Sequence, residues 1–158
     1  MVKLFSNKNL ITLKKTTNSI NLYTKFLNHF LKKGKKKIIR KKIETVFFRL
    51  SKEFLLSYSA FLLKVFKRLK TFVEIKRIKK RRRVFLVPIA LKRQRRVFLS
   101  LKWLSISLFS NKSYISFFEK LYLELRKIFL NHNCQTFSLL RKNNKQATQN
   151  RINLHYRW

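Results

Sequence analysis

The amino-acid sequence predicts a mainly α-helical bundle of about six helices, with one projecting basic β-hairpin between the third and fourth helices. Several stretches space their apolar residues three and four positions apart, which is the pattern of an amphipathic helix. At about residues 72–91, two alternating apolar runs flank a dense run of cations, which indicates two strands joined by a turn. Hydrophobic residues make up 46% of the 158. That fraction is enough to bury a core and too high for a disordered chain.

The length fits a single domain preceded by an N-terminal arm. Residues 1–18 are polar and basic without clear periodicity, and we expect them to form an extended basic arm. They contain no acidic residue, which is also typical of a mitochondrial presequence. Residues 19–158 then form the single helical domain.

Two helices are predicted before residue 51. The first begins near Ile20, and its buried face consists of Ile20, Tyr23, Phe26, Leu27, Phe30 and Leu31. Gly34 follows this run, at the position where a left-handed C-terminal cap favours glycine. The second helix carries an apolar stripe of Ile39, Ile43, Val46, Phe47 and Leu50. Its opposite face carries Lys36, Lys37, Arg40 and Lys41.

The third helix leads into the hairpin. Ser51 is the expected N-cap, because a serine side chain can accept a hydrogen bond from the first helical turn. The apolar positions of this helix are Leu55, Tyr58, Phe61, Leu62, Val65, Phe66 and Leu69. Pro88 in the second strand lacks an amide donor, so this strand is expected to lie at a sheet edge.

Two further helices and a polar segment follow the hairpin. The fourth helix is predicted to begin near Gln94, with an inner face of Val97, Leu101, Leu104 and Leu108. Ser113 is expected to cap a fifth helix, whose apolar stripe is Tyr114, Phe117, Phe118, Leu121, Tyr122, Leu125, Ile128 and Phe129. Beyond Leu140 the pattern ends, which is compatible with a polar helix lying on another element or with a tail that orders on binding.

The strongest functional signal is the charge. The chain has 40 lysine and arginine residues against five glutamates, giving +35. Self-repulsion on this scale opposes folding unless a polyanion neutralises it. Residues 76–83 alone hold seven cations in eight positions. A hairpin with this charge cannot be buried, so we interpret it as an arm that binds a polyanion, nucleic acid first and an anionic membrane second.

Several classes of protein are not expected. The single Cys134 excludes an internal disulfide and a multi-cysteine zinc site, and the nearby His132 adds too few ligands. Five scattered glutamates give little basis for acid–base catalysis, so we predict no enzyme, metal, cofactor or small-molecule substrate. No apolar run reaches the roughly 20 residues of a membrane span. The aromatic residues fall at helical spacing, which favours core packing over base stacking.

The class of polyanion stays open at this level. No helix-turn-helix, zinc-finger or leucine-zipper pattern is present. A basic arm with basic helix faces suits an irregular folded RNA. The alternatives are a basic peripheral protein on an anionic membrane and a nonspecific DNA-packaging protein.

The order of several short motifs resembles the bacterial-type small-subunit ribosomal protein seven family. Its VEVK, VPVEVRP, RR and RW elements match in spacing residues 73–76 (VEIK), 87–88 (VP), 95–96 (RR) and 102–103 (KW). Its KFxN, GKK and closing ANRAFAHYRW elements resemble residues 25–28, 34–36 and 150–158. Together these motifs span about residues 20–158.

The resemblance implies six helices with a hairpin between the third and fourth. It also implies direct binding to the 3′ major domain of small-subunit rRNA, nucleation of head assembly beside neighbouring head proteins, and a hairpin near the exit-site tRNA and the mRNA path. By position it implies rRNA-facing cations at Lys35, Lys36, Lys76, Arg95, Arg96 and Lys102, and a packing role for Trp103. With other cations of the chain, the candidate RNA-binding set is Lys35, Lys36, Lys37, Arg40, Lys76, Arg77, Lys79, Lys80, Arg81, Arg82, Arg83, Lys92, Arg93, Arg95, Arg96, Lys102, Arg151 and Arg157.

The chain departs from the family pattern at the hairpin tip. The family's Gly-Gly turn corresponds to Arg81 and Arg82, which adopt a positive φ reluctantly, so we expect a wider tip. The acidic residues of the family are largely lost, and Phe, Lys, Asn and Ile, which have A/T-rich codons, are abundant. Both features favour a mitochondrial, organelle-encoded ribosomal protein over a bacterial one.

Overall fold

Six α-helices, a two-stranded hairpin and a short 3₁₀ helix follow one another in the computed structural model, which describes residues 22–31, 33–110 and 114–156. In chain order they are α1 (22–29), α2 (Lys36–Phe54), α3 (Tyr58–Leu69), β1 (Val73–Lys80), β2 (Arg83–Ala90), α4 (Arg93–Ser110), α5 (Phe117–Leu130), α6 (Gln135–Gln149) and the 3₁₀ helix (Arg151–Tyr156). The predicted fold class is confirmed, including the hairpin between the third and fourth helices. The N-terminal arm, Ile20, Ser113 and Arg157 lie outside the described residues.

The core forms where the apolar stripes of α1 to α5 meet. Each of these helices contributes almost fully buried side chains, such as Phe26, Leu50, Phe61, Leu104 and Leu121. The side chain of Phe61 is packed among other aromatic rings, with centroid distances of 5.1 to 6.4 Å. These positions are the ones that helical periodicity assigned to the core, so the interpretation of the aromatic stripes as packing residues is confirmed for them.

The junction between α2 and α3 differs from the prediction. α2 continues past Ser51, whose hydroxyl donates to a carbonyl one turn earlier (2.9 Å) and does not cap α3. The N-cap is Ser57, whose side chain accepts a hydrogen bond from the Ala60 amide. Leu55 lies between the helices with φ of 51° and is 90% exposed, so it is not part of the α3 stripe. In the sequence, residues 54–56 form an uninterrupted apolar run, which gives no sign that one helix ends and the next begins there.

The start of α5 also differs from the prediction. Its N-cap is Ser116, whose side chain accepts a hydrogen bond from the Glu119 amide (3.3 Å). Serine followed three residues later by glutamate is the signature of a capping box, so the sequence does contain the signal for this cap, although Ser113 was expected. Tyr114, assigned to the buried stripe, lies ahead of the helix and is fully exposed.

Gly34 has the predicted left-handed conformation, with φ of +70°. It does not cap α1 directly, because α1 ends at residue 29 and the turn at residues 33–34 leads into α2. A Cβ atom at this position would meet no atom within 4 Å. The requirement for glycine is therefore conformational and not steric.

The hairpin is regular up to its tip. Antiparallel pairing extends to Lys80 with Arg83, so the loop consists of Arg81 and Arg82 alone. The expectation of a wider tip is therefore wrong. Of the two loop residues only Arg81 has a positive φ (53°), a conformation for which glycine is the usual residue. Pro88 is tolerated because each strand of a two-stranded sheet has one open edge.

The C-terminal segment packs on the hairpin. α6 is a polar helix, and the side-chain amide of Asn143 donates to the Val73 carbonyl of β1 (2.9 Å). From the 3₁₀ helix, the side-chain amide of Asn153 donates to the Leu86 carbonyl of β2 (3.1 Å). Of the two alternatives for the residues after Leu140, the structure shows the helix that lies on another element.

A small apolar cluster lies at the base of the hairpin, separate from the main core. It consists of Leu91, Leu99 and Trp103, with Leu139 and Leu140 of α6 packed against it. Trp103 is 9% exposed, so its predicted packing role is confirmed. This cluster joins the end of β2 to α4 and α6.

Replacing Phe61 by alanine should lower the free energy of unfolding by roughly 3–5 kcal/mol, because it removes a buried ring and leaves a cavity. Denaturant unfolding at constant ionic strength, followed by circular dichroism, measures this loss. Phe48→Ala is the matched control, because Phe48 is 69% exposed. It should change the free energy of unfolding by less than about 0.5 kcal/mol. Equal losses in the two variants would contradict the assignment of the core.

Candidate nucleic-acid interface

The cations of the hairpin project from a regular two-stranded ribbon. All seven cations at residues 76–83 are exposed. At about 3.3 Å per residue, the length of β1 places the tip roughly 23 Å from the base of the hairpin. The tip therefore presents its charge well away from the helical core.

The two faces of the hairpin differ. Residues paired across an antiparallel ladder share a face, so Ile78 and Phe85 lie on one face, and Lys79 and Val84 on the other. Tyr156 packs on the first face, with its ring centroid 4.5 Å from that of Phe85. Lys79 and Val84 are exposed. The C-terminal residues thus cover one face and leave the other accessible to a ligand.

A salt bridge fixes the base of the hairpin to α4. Arg95 donates to both carboxylate oxygens of Glu74, from Nε to Oε2 at 2.9 Å and from Nη2 to Oε1 at 2.7 Å. The Glu74 side chain is 16% exposed. The hydrogen bonds from Arg95 nevertheless hold the pKa of Glu74 below its ordinary value. Two parallel bonds restrict orientation as well as distance, so the salt bridge sets the direction in which the hairpin leaves the core.

Arg96 ties the end of β2 to the same helix. Its Nε donates to the Leu91 carbonyl (2.9 Å), and its guanidinium lies 4.7 Å from the ring centroid of Phe72. Arg95 and Arg96, which the family pattern predicts to face rRNA, therefore both have intramolecular partners. Both arginines position the hairpin. Arg95 is 46% exposed and keeps surface for an anion as well.

The start of α2 is a second cationic surface. Lys35 is the N-cap residue and makes no side-chain capping bond, and the first turn holds Lys36 and Lys37 but no acidic residue. The first turn of a helix has unpaired amides and a partial positive charge, so these lysines reinforce a field that favours an anion. Arg40 differs, because its Nε pairs with Glu44 at 2.9 Å.

The remaining predicted cations lie around α4 and near the C-terminal end of the described residues. Lys92, Arg93 and Lys102 are exposed, and none of them forms a salt bridge with a described carboxylate. Arg151 is exposed in the 3₁₀ helix. The fold thus brings Lys92 and Arg93 to the base of the hairpin, whereas the α2 start is a separate group.

The carboxylates of the described residues all make contacts within the fold. Four of the five glutamates form salt bridges with arginine, and the buried Glu124 accepts from the amide and hydroxyl of Thr136 (3.0 and 2.6 Å). Within the described ranges no three His, Cys, Asp or Glu side chains cluster. Burial raises the pKa of the Cys134 thiol, which makes it a poor nucleophile. No described helix is both long and apolar enough to cross a bilayer.

A comparison with known protein families identifies the family of the chain that carries this cationic surface. The model of the family described as Ribosomal protein S7p/S5e matches residues 3–151, almost the whole of the chain. The chain belongs to this family. Its members are small-subunit ribosomal proteins that bind rRNA and neighbouring ribosomal proteins, and the family is structural, not enzymatic. No curated protein matches the chain.

Sequence reasoning missed the residues that hold the arm of this ribosomal protein in place. They are Glu74, Asn143, Asn153 and Tyr156. Glu74 carries a detectable signal, because it is one of only five acidic residues and stands two positions before the cation run of residues 76–83. The two asparagines carry none, since asparagine in a polar segment is indistinguishable from an ordinary surface residue.

Neutralising Glu74 should loosen the base of the hairpin. In Glu74→Gln, Arg95 loses its charged partner, so the amides of β1 should exchange hydrogen faster while the helices keep their protection. Hydrogen exchange followed by mass spectrometry measures this. Glu119→Gln is the control, because it removes the more exposed salt bridge of Glu119 with Arg49. Unchanged exchange of β1 in Glu74→Gln would contradict the proposed role of the salt bridge.

The same salt bridge predicts a pH dependence. Because folding lowers the pKa of Glu74, its stabilising contribution is complete above the unfolded value of roughly 4.3 and is lost as the pH falls through the lower folded value. The wild-type hairpin should therefore loosen on acidification below about pH 4. Glu74→Gln should lack this step, and a step of equal size in that variant would assign it to another group.

Proposed function

We propose that this chain is a structural constituent of the small subunit of a mitochondrial ribosome. It binds the 3′ major domain of small-subunit rRNA, which forms the head, and nucleates head assembly beside neighbouring head proteins. The observation that carries the proposal is the hairpin. In a member of this family, seven exposed cations lie on an arm whose base is fixed by a salt bridge and whose one face is covered by the C-terminal residues.

The proposed rRNA contacts are the described cations of the predicted set that keep an exposed charge, together with Arg157, which lies outside the described residues. They are residues 76, 77 and 79–83 of the hairpin, 35–37 and 40 of α2, Lys92, Arg93 and Lys102 around α4, and Arg151 and Arg157 near the C-terminal end. Arg95 and Arg96 belong to the same set but also orient the arm. Most of these side chains would contact phosphate, which positions a protein on RNA and does not read its sequence.

The mechanism follows from charge and preorganisation. Each phosphate that a cation neutralises releases counterions, so binding should weaken steeply with salt. Arg81 and Arg82 at the tip can donate paired hydrogen bonds to phosphate and stack on bases. Because the folded chain already orients the hairpin, little conformational entropy is lost when it binds. We propose that the tip approaches the exit-site tRNA and the mRNA path.

Two features support the mitochondrial assignment. Residues with A/T-rich codons are abundant, with 16 phenylalanines against one glycine and one proline. Acidic residues are few, and all five glutamates have partners within the fold. We further propose that residues 1–18 form a basic arm that precedes the rRNA-binding domain of residues 19–158.

Sedimentation tests the location and the class of partner. The tagged chain should sediment with mitochondrial small subunits, and ribonuclease should release it. Release by detergent but not by ribonuclease would support the alternative of a protein on an anionic membrane. Release by deoxyribonuclease alone would support the alternative of DNA packaging.

The two tip arginines should contribute to RNA binding without being needed for the fold. In the variant Arg81→Gly, Arg82→Gly two charges are removed, and glycine suits the positive φ of residue 81, so the hairpin should persist. For a head-domain rRNA fragment, the plot of log affinity against log salt should become shallower by about 1.8 if both arginines contact duplex phosphates. Filter binding at several salt concentrations measures the slope.

The control for the tip variant is Lys52→Ala, Lys127→Ala. It removes the same charge from the last turns of α2 and α5 and should keep the wild-type slope. The wild type should also bind the head-domain fragment more tightly than an unrelated RNA duplex of equal length. Equal affinities for the two RNAs would contradict specific binding to the head domain.

A further inference from the structure

A groove of about 730 Å³ opens where the C-terminal half of α2 meets α1 and the start of α3. Three large side chains of its lining are exposed to solvent. Phe48 is 69% exposed, Leu55 90% and Tyr58 49%. Scattered exposed apolar residues are ordinary on a protein surface, whereas several in one concave patch are typical of a protein–protein interface.

Aromatic contacts hold the floor of this groove in place. The ring of Tyr23 lies edge-on to the rings of Phe47 and Tyr58, with centroid distances of 6.2 and 5.8 Å. Phe47 is buried in the core, and the Tyr23 hydroxyl donates to Glu44 Oε1 (3.2 Å). The groove is therefore already formed in the folded chain, so a partner that docks there loses little free energy to ordering it.

Leu55 is unfavourable in the isolated chain. It has φ of 51° and ψ of 37°, a left-handed conformation that destabilises a residue with a Cβ atom relative to glycine. Its side chain gains almost no burial in return, because the residue is 90% exposed. Strained residues of this kind concentrate at functional sites, and a partner that covers Leu55 would account for both its strain and its exposure.

The charge around the groove indicates the kind of partner. Two cations, Arg40 and Lys52, line it together with one carboxylate, Glu44, which already pairs with Arg40 at 2.9 Å. Lys52 makes no salt bridge with a described carboxylate. This lining and the +35 charge of the whole chain both attract an acidic partner. A second copy of the chain would bring the same charge and be repelled.

We propose that this groove docks an acidic amphipathic segment of another small-subunit protein. The groove is lined by helices and helix ends and offers no strand edge, so the segment that fits it is a helix with apolar side chains on one face. These side chains would cover Phe48, Leu55 and Tyr58, and a carboxylate beside them would pair with Lys52. The inference rests on the proposed function, because it takes the partner from the same ribosomal subunit.

Photo-crosslinking identifies what covers the groove. Small subunits are reconstituted with the full-length chain carrying p-benzoylphenylalanine in place of Phe48, and the crosslinked peptides are identified by mass spectrometry after irradiation. The expected crosslink joins residue 48 to a peptide of another small-subunit protein that has Asp or Glu next to its apolar residues. A crosslink to rRNA, to a second copy, to residues 1–21 or to a peptide without acidic residues would overturn the proposal, as would the absence of any crosslink.

The variant Phe48→Ala, Leu55→Gly tests whether the apolar side chains hold the partner. Phe48 is exposed and glycine adopts a positive φ without strain, so the denaturant midpoint of unfolding should not fall appreciably. The affinity of the full-length chain for the purified crosslinked protein should fall by at least about tenfold, because burial of one large apolar side chain is worth roughly that factor. Isothermal titration calorimetry measures both affinities.

The matched control is Ile38→Ala, Ile106→Ala, which removes two exposed apolar side chains that do not line the groove. It should keep the wild-type affinity, and equal losses in the two double variants would overturn the proposal. Lys52→Glu should weaken binding as well, because it places a carboxylate next to the acidic segment. An unchanged affinity in that variant would overturn the acidic character of the partner.

Failure of the proposed function has a different outcome. In that case the wild-type chain would not enter small subunits at all. A chain that enters them but gives no crosslink from residue 48 to another protein would overturn the groove proposal and leave the proposed function intact.

Discussion

The excess of positive charge is the constraint to which the rest of the structure responds. With 40 cationic residues and five glutamates, repulsion acts between all the elements, and the few carboxylates lie where two elements meet. Each glutamate accepts a hydrogen bond from another element, and the pairs are Glu44 with Tyr23, Glu53 with Arg126, Glu74 with Arg95, Glu119 with Arg49 and Glu124 with Thr136. Burial and Glu44 together raise the pKa of Tyr23 to about 12. The carboxylates therefore connect secondary-structure elements to one another. They do not neutralise the positive charge of the surface.

These hydrogen bonds and salt bridges of the glutamates orient the secondary-structure elements, whereas the apolar core supplies most of the stability. An exposed salt bridge contributes about 0.2–1 kcal/mol, and burial of one large apolar side chain contributes roughly 1.5–3 kcal/mol. Five helices place almost fully buried side chains in one cluster, so the core outweighs four salt bridges. Because the core can offset the repulsion, the fold can leave many of the described cations exposed without a salt bridge to a described carboxylate, where a polyanion can bind them.

Helical periodicity predicted the bundle because the apolar stripes of the helices must all pack into one common core. The hairpin was predictable because its dense positive charge excludes burial. The helix caps and the conformation of the hairpin turn were harder to predict. Two serines, Ser51 and Ser57, precede α3 within seven positions, and the sequence does not show which of them caps the helix. The tip was mispredicted because a left-handed arginine costs only about 1–2 kcal/mol, which regular pairing beside Arg81 can offset. The grouping of Lys25, Lys67 and Lys92 around one opening was beyond sequence reasoning, since these residues meet only through helix packing.

The polar character of α6 follows from what it packs against. A two-stranded ribbon is marginally stable alone, and the cations at this tip add repulsion. If the supporting helix contacted the hairpin through apolar side chains, the hairpin would have to bury residues that now carry charge. If it used carboxylates, these would compete with phosphate for the same arginines and lysines. Asn143 and Asn153 avoid both effects, because their neutral amides donate to backbone carbonyls of β1 and β2. The segment that looks like a surface tail in the sequence is therefore suited to hold the arm while leaving its charge available.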